Sequence, residues 1–265
     1  MRKAFVFLLT AIVLLAGCSA PQSNIPPSSE PEQVLSSEPE TTEDTTPSES
    51  PTTEETLPPH SGLYLEGLST DAVILYFEEI CLDAEIINSG NPTRLQRWAR
   101  PILYQVLGDP TPEDLDTISR FAQQLNSIPG FPGIRESAAD ESPCMDISFC
   151  GQDEMVGILG DWAWDFDGGV NFWYEMDEIY TATICIRSDI TQEIRNSVIL
   201  EEIYNSLGPI QDTDLRGDSI IWSGYSLPQS LTEEDMLLLT LLYHPDLKPG
   251  MNALQCAEVI RKLYY

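Results

Sequence analysis

The spacing of apolar positions after residue 61 predicts alternating helices and strands. Apolar side chains recur at helical spacing over residues 70–84 and from 111 to about 126, where Thr-Pro-Glu-Asp provides a helix start with proline in the first turn. Residues 101–107 and 146–150 have the pattern of strands. Helices and strands therefore alternate along this part of the chain.

A hairpin is the clearest β signal in the sequence. Residues 170–174 and 179–186 have strand patterns, and an acidic turn around Met176 and Asp177 separates them. The later strand is rich in β-branched residues and is apolar on both faces, so we expect it to lie in the centre of a sheet.

A long helix is predicted to follow this hairpin. Asp189 and Gln192 offer a capping box for its first turn, and the helical pattern extends to Leu207. Gly208 then fits the left-handed C-cap position, because glycine adopts that conformation without steric cost.

Three shorter helices complete the pattern, at residues 152–159, after the capping pair Thr232 and Asp235, and at residues 253–263. This order of elements is typical of an α/β or α+β domain rather than of a sandwich or a bundle. We predict an α+β domain with a mixed, twisted sheet, formed by residues 62–265.

The N-terminus has the pattern of a bacterial lipoprotein signal. A basic start is followed by a thirteen-residue apolar core and by Leu-Ala-Gly-Cys, which ends at Cys18. The alternatives are a plain signal peptide or a membrane helix, but thirteen residues are too few to span about 30 Å of hydrocarbon. We predict a signal peptide over residues 1–17 and lipidation of Cys18, which would anchor an exported protein on the outer side of the membrane.

The segment from residue 18 to 61 is predicted to be a disordered, acidic tether. It is rich in Pro, Ser, Thr and Glu, with nine acidic residues and no Lys or Arg. The whole chain has a formal net charge of −30. Nucleic acid is therefore excluded as an expected partner, because phosphate binding needs a basic face, and membrane attachment is left to the lipid anchor.

Five cysteines follow the anchor, and none belongs to a CxxC pair that would indicate a zinc site. Their odd number leaves at least one unpaired. An exported location permits a disulfide, but we expect most of these thiols to be reduced and buried. They are Cys81, Cys144, Cys150, Cys185 and Cys256.

The predicted long helix contains the most informative motif. Glu201, Asn205 and Gln211 have the spacing of the three histidines in His-Glu-x-x-His-x-x-Gly-x-x-His, the zinc-binding motif of metzincin peptidases. Glu202 occupies the position of the general base, and Gly208 occupies the position of the turn. The motif therefore resembles a metallopeptidase active-site helix without its zinc-binding histidines.

Three interpretations of these residues remain open. The preferred one is a hydrogen-bonded polar cluster at the former ligand positions, or a solvent-facing set, because amides satisfy one another readily. In the second, Glu201, Asn205 and Gln211 bind a divalent cation through oxygen, although calcium and magnesium usually take six or more oxygen ligands. In the third, Glu202 is the catalytic base of a surviving hydrolytic centre.

Two downstream segments extend the resemblance. Ser-Ile-Ile-Trp at residues 219–222 resembles the methionine turn of metzincins, with Ile221 in place of methionine, and residues 231–243 resemble their closing helix. With the run at residues 243–251, the chain resembles the bacterial family labelled domain of unknown function 2927. This resemblance implies a zincin-like fold with a long former active-site helix and C-terminal helices, and it implies no reaction.

The sequence leaves enzymatic activity open and favours a non-catalytic role without a cofactor. The preferred hypothesis is a surface-anchored, metallopeptidase-like module that binds peptide, protein or glycan in the envelope or outside the cell. The alternative is a metal-dependent hydrolase that uses Glu202 with an atypical cation. A third possibility is a purely structural domain with a filled cleft.

Overall fold

A computed structural model describes residues 63–82, 94–224 and 228–265 of the chain. The predicted signal peptide, Cys18 and the tether lie outside the described residues. Six α-helices and six strands are present in the described part. In chain order they are α1 (Thr70–Leu82), β1 (Arg97–Trp98), β2 (Ile102–Gly108), α2 (Pro112–Leu125), β3 (Ile134–Glu136), β4 (Met145–Cys150), α3 (Gln152–Leu159), β5 (Gly168–Glu175), β6 (Glu178–Arg187), α4 (Gln192–Asn205), α5 (Glu233–Leu242) and α6 (Ala253–Leu263).

The strands form one mixed, mostly parallel sheet, which confirms the mixed sheet predicted from the sequence. Its order is β1-β6-β4-β2-β3 with parallel pairing throughout, and β5 is antiparallel to β6. Parallel neighbours need crossover connections, and α2 and α3 follow β2 and β4 in the chain. Strand β6 has neighbours on both sides, as its two apolar faces predicted.

The hairpin prediction is confirmed. β5 and β6 pair along their whole length, and each extends beyond the predicted bounds. Met176 and Asp177 form the turn with φ of 50° and 64°, a left-handed pair that matches the twist of the two strands.

Helix starts agree well with the sequence. Thr111 caps α2, accepting from the Asp114 amide at 3.2 Å, while the Asp114 carboxylate accepts from the Thr111 amide at 2.7 Å. Thr232 and Asp235 form the same box at the start of α5. These reciprocal bonds satisfy backbone donors that have no partner within the helix.

The capping box predicted for α4 is wrong. The N-cap is Thr191, and its side chain makes no capping hydrogen bond. Asp189 instead pairs with Arg187 at 2.7 Å, and Gln192 donates to the Asp114 carboxylate at 2.6 Å. An ion pair and a tertiary contact therefore replace the local cap. The helix ends at Asn205, two residues before the predicted end.

Helix α4 lies inside the protein, where it packs against β5, β6 and α2. Every residue from Ser197 to Asn205 is buried, so the C-terminal part of the helix has no face turned to solvent. Polar side chains in its C-terminal half are thereby placed in the interior.

The five cysteines after the predicted anchor are free thiols, as expected for most of them. Four are buried, and Cys144 is half-buried. Within the described ranges, no helix is long and apolar enough to cross a bilayer.

Candidate functional site

The C-terminal turns of α4 bring three of the predicted site residues into the interior. Glu201 is 6% exposed, and Glu202 and Asn205 have no exposed surface. Glu201 and Asn205 are one helical turn apart and therefore lie on the same side of the helix. The spacing seen in the sequence is thus realised on a helix that is enclosed by the fold.

Two of these side chains have no hydrogen-bond partner in the described part of the chain. Both carboxyl oxygens of Glu202, and both Oδ1 and Nδ2 of Asn205, are buried and unsatisfied. Each unsatisfied buried polar group costs about 1–3 kcal/mol, and most such groups in proteins find a partner in protein or water. The four atoms therefore indicate a position that a ligand or ordered water would complete.

Burial sets the protonation of Glu202. Desolvation raises its pKa well above the ordinary value, and the nearby carboxylates of Glu201 and Asp212 raise it further. The neutral acid offers one O–H donor and one acceptor, and the Asn205 amide offers both functions too. The two side chains, three positions apart on α4, therefore offer both donors and acceptors.

Strand β5 forms the wall opposite Glu202. A Cβ atom added to Gly168 would lie 2.4 Å from Cγ1 of Val198 and 3.0 Å from Oε1 of Glu202. The neighbouring Gly169 is covered by the ring of Trp162, which would lie 2.6 Å from an added Cβ. Glycine at 168 therefore allows β5 to approach α4 and the Glu202 carboxyl group, and glycine at 169 makes room for Trp162 and Leu159.

Sequence reasoning did not place Gly168 in the site. The signal was present, because paired glycines at the start of a strand often mark a close backbone approach. The aspartate before them, Asp167, pairs with Arg187 at 3.8 Å rather than facing the Glu202 carboxyl group. The pairing between β5 and α4 is long-range, so the local pattern alone did not show which residue the glycines contact.

Gln211, at the third ligand position, lies beyond the turn that ends α4. It is half-buried, and no hydrogen bond joins it to Glu202 or Asn205. Gly208 has a φ of 125°, and a Cβ at this position would lie 2.4 Å from the Gln96 carbonyl oxygen. The turn therefore requires glycine for conformation and for space, as the motif predicted.

The segment that resembles a methionine turn is tied to α5. Ser219 donates to the buried Asp235 carboxylate at 2.6 Å and accepts from the Ile221 amide at 3.2 Å. Tyr204 of α4 donates to the Asp235 carbonyl oxygen at 3.0 Å. Burial raises the pKa of Asp235, although its hydrogen bonds oppose the rise. Asp235 therefore links the turn, α4 and α5.

The other end of α4 is fixed by a buried ion pair. Arg195 donates to the Asp114 carboxylate at 2.8 Å, and the two side chains are 8% and 0% exposed. Burial alone would raise the pKa of Asp114, but the hydrogen bonds from Arg195, Thr111 and Gln192 outweigh it and lower the pKa. This pair sets the position of α4 against α2.

The donor set does not fit zinc. The positions that correspond to the metzincin ligands supply one carboxylate and two amides, whereas protein zinc sites use imidazole, thiolate and carboxylate ligands. Burial raises the pKa of the neighbouring Glu202, and a protonated acid is a poor ligand. We therefore derive no chemical step through a metal at this position.

Comparison with known proteins gives a family and no activity. A family model described as "Protein of unknown function (DUF2927)" matches residues 70–262, from the first residue of α1 to the last turn of α6. No curated protein matches the chain.

Proposed function

Because the chain belongs to the DUF2927 family, whose description assigns no reaction, we propose from the residues of the site that the protein is a non-catalytic, metallopeptidase-like binding module. We further propose that it is exported, anchored to the bacterial membrane at Cys18, and binds peptide, protein or glycan outside the cell. The zincin-like ancestry is part of this proposal. It is supported by the motif spacing on α4 and by the link from Ser219 to the closing helix α5.

The observation that carries the proposal is the set of four unsatisfied atoms on Glu202 and Asn205. A peptide group offers one donor and one acceptor, and so does the acetamido group of an amino sugar. A neutral carboxylic acid beside a carboxamide is complementary to such a group. Burial raises the pKa of Glu202, which favours the neutral acid that such a group requires.

Hydrolysis by the same residues is less well supported than binding. A general base must be ionised at the working pH and must reach the water that it activates. Glu202 has a strongly raised pKa and no exposed surface. A ligand can therefore reach these atoms only when the elements packed around α4 move, and we expect association below the usual range of about 10⁵–10⁷ M⁻¹s⁻¹.

Binding and cleavage can be separated with two substitutions in the full chain. The probes are a library of acetylated tetrapeptide amides and purified peptidoglycan, which contains both peptide and acetamido groups. Asn205→Leu, which is nearly isosteric, should weaken binding of the tightest-binding probe by tenfold or more while leaving the protein folded. Glu202→Gln should retain binding within a few-fold, because an amide also provides a donor and an acceptor. Gln123→Leu on the exposed surface of α2 is the matched control.

The outcome distinguishes the two functions. The hydrolase would be established instead by two results together. The wild type would cleave a probe that Glu202→Gln does not cleave, and wild-type protein stripped of metal would regain cleavage when a divalent cation is added. Absence of saturable binding to either probe would leave a purely structural domain and would contradict the proposal.

The anchor has its own test. Cys18→Ala should transfer the protein from the membrane fraction to the soluble fraction of the cell envelope, whereas Ser19→Ala should not. Retention of the Cys18→Ala protein in the membrane fraction would refute lipidation as the means of attachment.

A further inference from the structure

A second site lies away from α4, along the outer side of α5. It is a groove of about 1150 Å³, formed by α5, the segment before α1 and the ends of β1 and α6. α5 has ten residues, so the groove follows an element about 15 Å long. Most of its lining is apolar and comes from Leu63, Leu65, Pro129, Leu231, Met236, Leu237, Pro245 and Leu263.

The polar groups along the length of the groove are already engaged. The Thr240 hydroxyl donates to the Met236 carbonyl at 2.7 Å, and the Tyr243 hydroxyl donates to the Leu207 carbonyl at 2.7 Å. The Thr232 hydroxyl accepts the capping bond from the Asp235 amide at 3.1 Å. An extended peptide would therefore bury amide groups here without partners, which is costly. An alkyl chain has no such groups.

Charged side chains lie at the two ends of α5. Glu233 is exposed at the first turn, whereas Arg97 and His244 lie near the C-terminus. A ligand with one anionic end would therefore be oriented, since Glu233 repels that end and Arg97 attracts it.

Within the described part of the chain, Arg97 has one free hydrogen-bond donor, Nη2, at the groove. Its bonds to the Leu242 and His244 carbonyl oxygens, at 2.6 and 3.2 Å, both start from Nη1. Nε is buried without a partner, and the described residues place no carboxylate within 4.0 Å of the guanidinium group. Nη2 makes no hydrogen bond to the described residues, and it is therefore the donor that remains for a charge-assisted bond to a carboxylate.

Arg97 makes no ion pair within the described ranges, as is also true of four other basic residues, and it differs from these four in lining the groove. The four are Arg94, Arg100, Lys248 and Lys262. The Tyr243 ring holds the guanidinium carbon 5.7 Å from its centroid, so the group is fixed before any ligand arrives.

We propose that this groove binds an alkyl carboxylate, with the carboxylate at Nη2 of Arg97 and the alkyl chain along α5. The ligand class includes free fatty acids and fatty acids held in a membrane. The apolar lining supplies the affinity, and Arg97 supplies the preference for an anionic end.

The proposal is tested by calorimetric titration of the full chain with monomeric decanoate. We expect saturable binding of one molecule, and about fourfold tighter binding for each added methylene from octanoate to dodecanoate. Decanol and decyltrimethylammonium, which have the same chain without the anionic end, should bind at least tenfold more weakly. Equal binding of decanol and decanoate would overturn the role of Arg97.

Two variants locate the binding. Arg97→Gln should weaken the binding of decanoate by tenfold or more. Arg100→Gln, at an exposed position, is the matched control. Because Arg97 also bonds the end of α5, Thr240→Phe provides a second test that leaves the guanidinium group intact and fills the groove. Decanoate binding that survives Thr240→Phe, or the absence of saturable binding to the wild-type chain, would refute the proposal.

One further comparison identifies the source of the ligand. Decanoate offered in phosphatidylcholine vesicles should be extracted by the protein if free fatty acid is the ligand. Recruitment of the protein to those vesicles, lost in Arg97→Gln, would instead show that the carboxylate is recognised at the membrane. Either result requires the groove, and failure of both would contradict it.

Discussion

Replacing Glu202 by glutamine tests the account of the buried site most directly. The substitution keeps the shape of the side chain and removes its ability to ionise. In the folded chain Glu202 has no exposed surface, and burial raises its pKa well above 4.5, with Glu201 and Asp212 adding to the rise. In the unfolded chain the same carboxyl ionises near its ordinary pKa.

The magnitude follows from proton linkage. Above pH 4.5 the unfolded chain releases the proton of Glu202, while the folded chain retains it until the pH reaches the raised pKa. Over that interval the wild-type free energy of unfolding falls, relative to the variant, by up to about 1.4 kcal/mol per pH unit. The stability that neutral Glu202 allows is thus fully present below pH 4.5 and is lost as the pH rises. Over two pH units, this difference in the free energy of unfolding is large compared with the total free energy of unfolding of a typical domain, which is about 5–15 kcal/mol.

The assay is urea unfolding of the wild type and of Glu202→Gln at several pH values from 4 to about 8, with the difference between the two free energies plotted against pH. Glu193→Gln, an exposed position on the same helix, controls for the general effect of removing a carboxyl group. Curves for wild type and Glu202→Gln that stay parallel across this range would refute the reasoning, because they would mean that Glu202 ionises as freely in the folded protein as in the unfolded chain.

Three further substitutions test the supports of the site. Asp114→Ala should cost about 3–5 kcal/mol of unfolding free energy in urea titrations, because it leaves Arg195 buried and unpaired, and a cost as small as that of Asp116→Ala in an exposed pair would contradict this. Gly168→Ala should lower the free energy of unfolding by about 1–3 kcal/mol and shift the Glu202 carboxyl group. Gly157 has open space around it, so Gly157→Ala should not destabilise α3. Ser219→Ala should cost about 1–3 kcal/mol by removing a donor to a buried carboxylate, and an unchanged melting temperature would argue against this link.

Features that depend on neighbouring residues could be predicted from the sequence. The capping boxes at Thr111 and Thr232 and the turn at Met176 and Asp177 each involve residues within a few positions of one another. The buried strand β6 was also predicted, because a strand covered on both faces must be apolar on both faces.

Features that depend on long-range contacts could not be predicted in this way. Strands β1 and β3 have two and three residues, too few to show a period, and their pairing partners lie far along the chain. The Asp189 cap was wrong because Arg187 offered a stronger partner for the carboxylate. The motif on α4 located the polar residues, but only the packing of β5 and α2 around the helix shows that Glu202 and Asn205 are enclosed without partners.

That enclosure has a physical consequence for the role of the domain. An apolar pair of similar volume at Glu202 and Asn205 would pack in the same space without unsatisfied groups, and replacing buried polar pairs in this way is often neutral or stabilising. The fold itself therefore does not require these side chains, whereas the Asp114–Arg195 pair at the other end of α4 is fully hydrogen-bonded and fixes the helix. A ligand that supplied the missing partners would recover the lost hydrogen-bond energy and would stabilise the folded chain by mass action. The proposed binding role accounts for both the residues and their lack of partners, because a ligand would supply the missing hydrogen bonds.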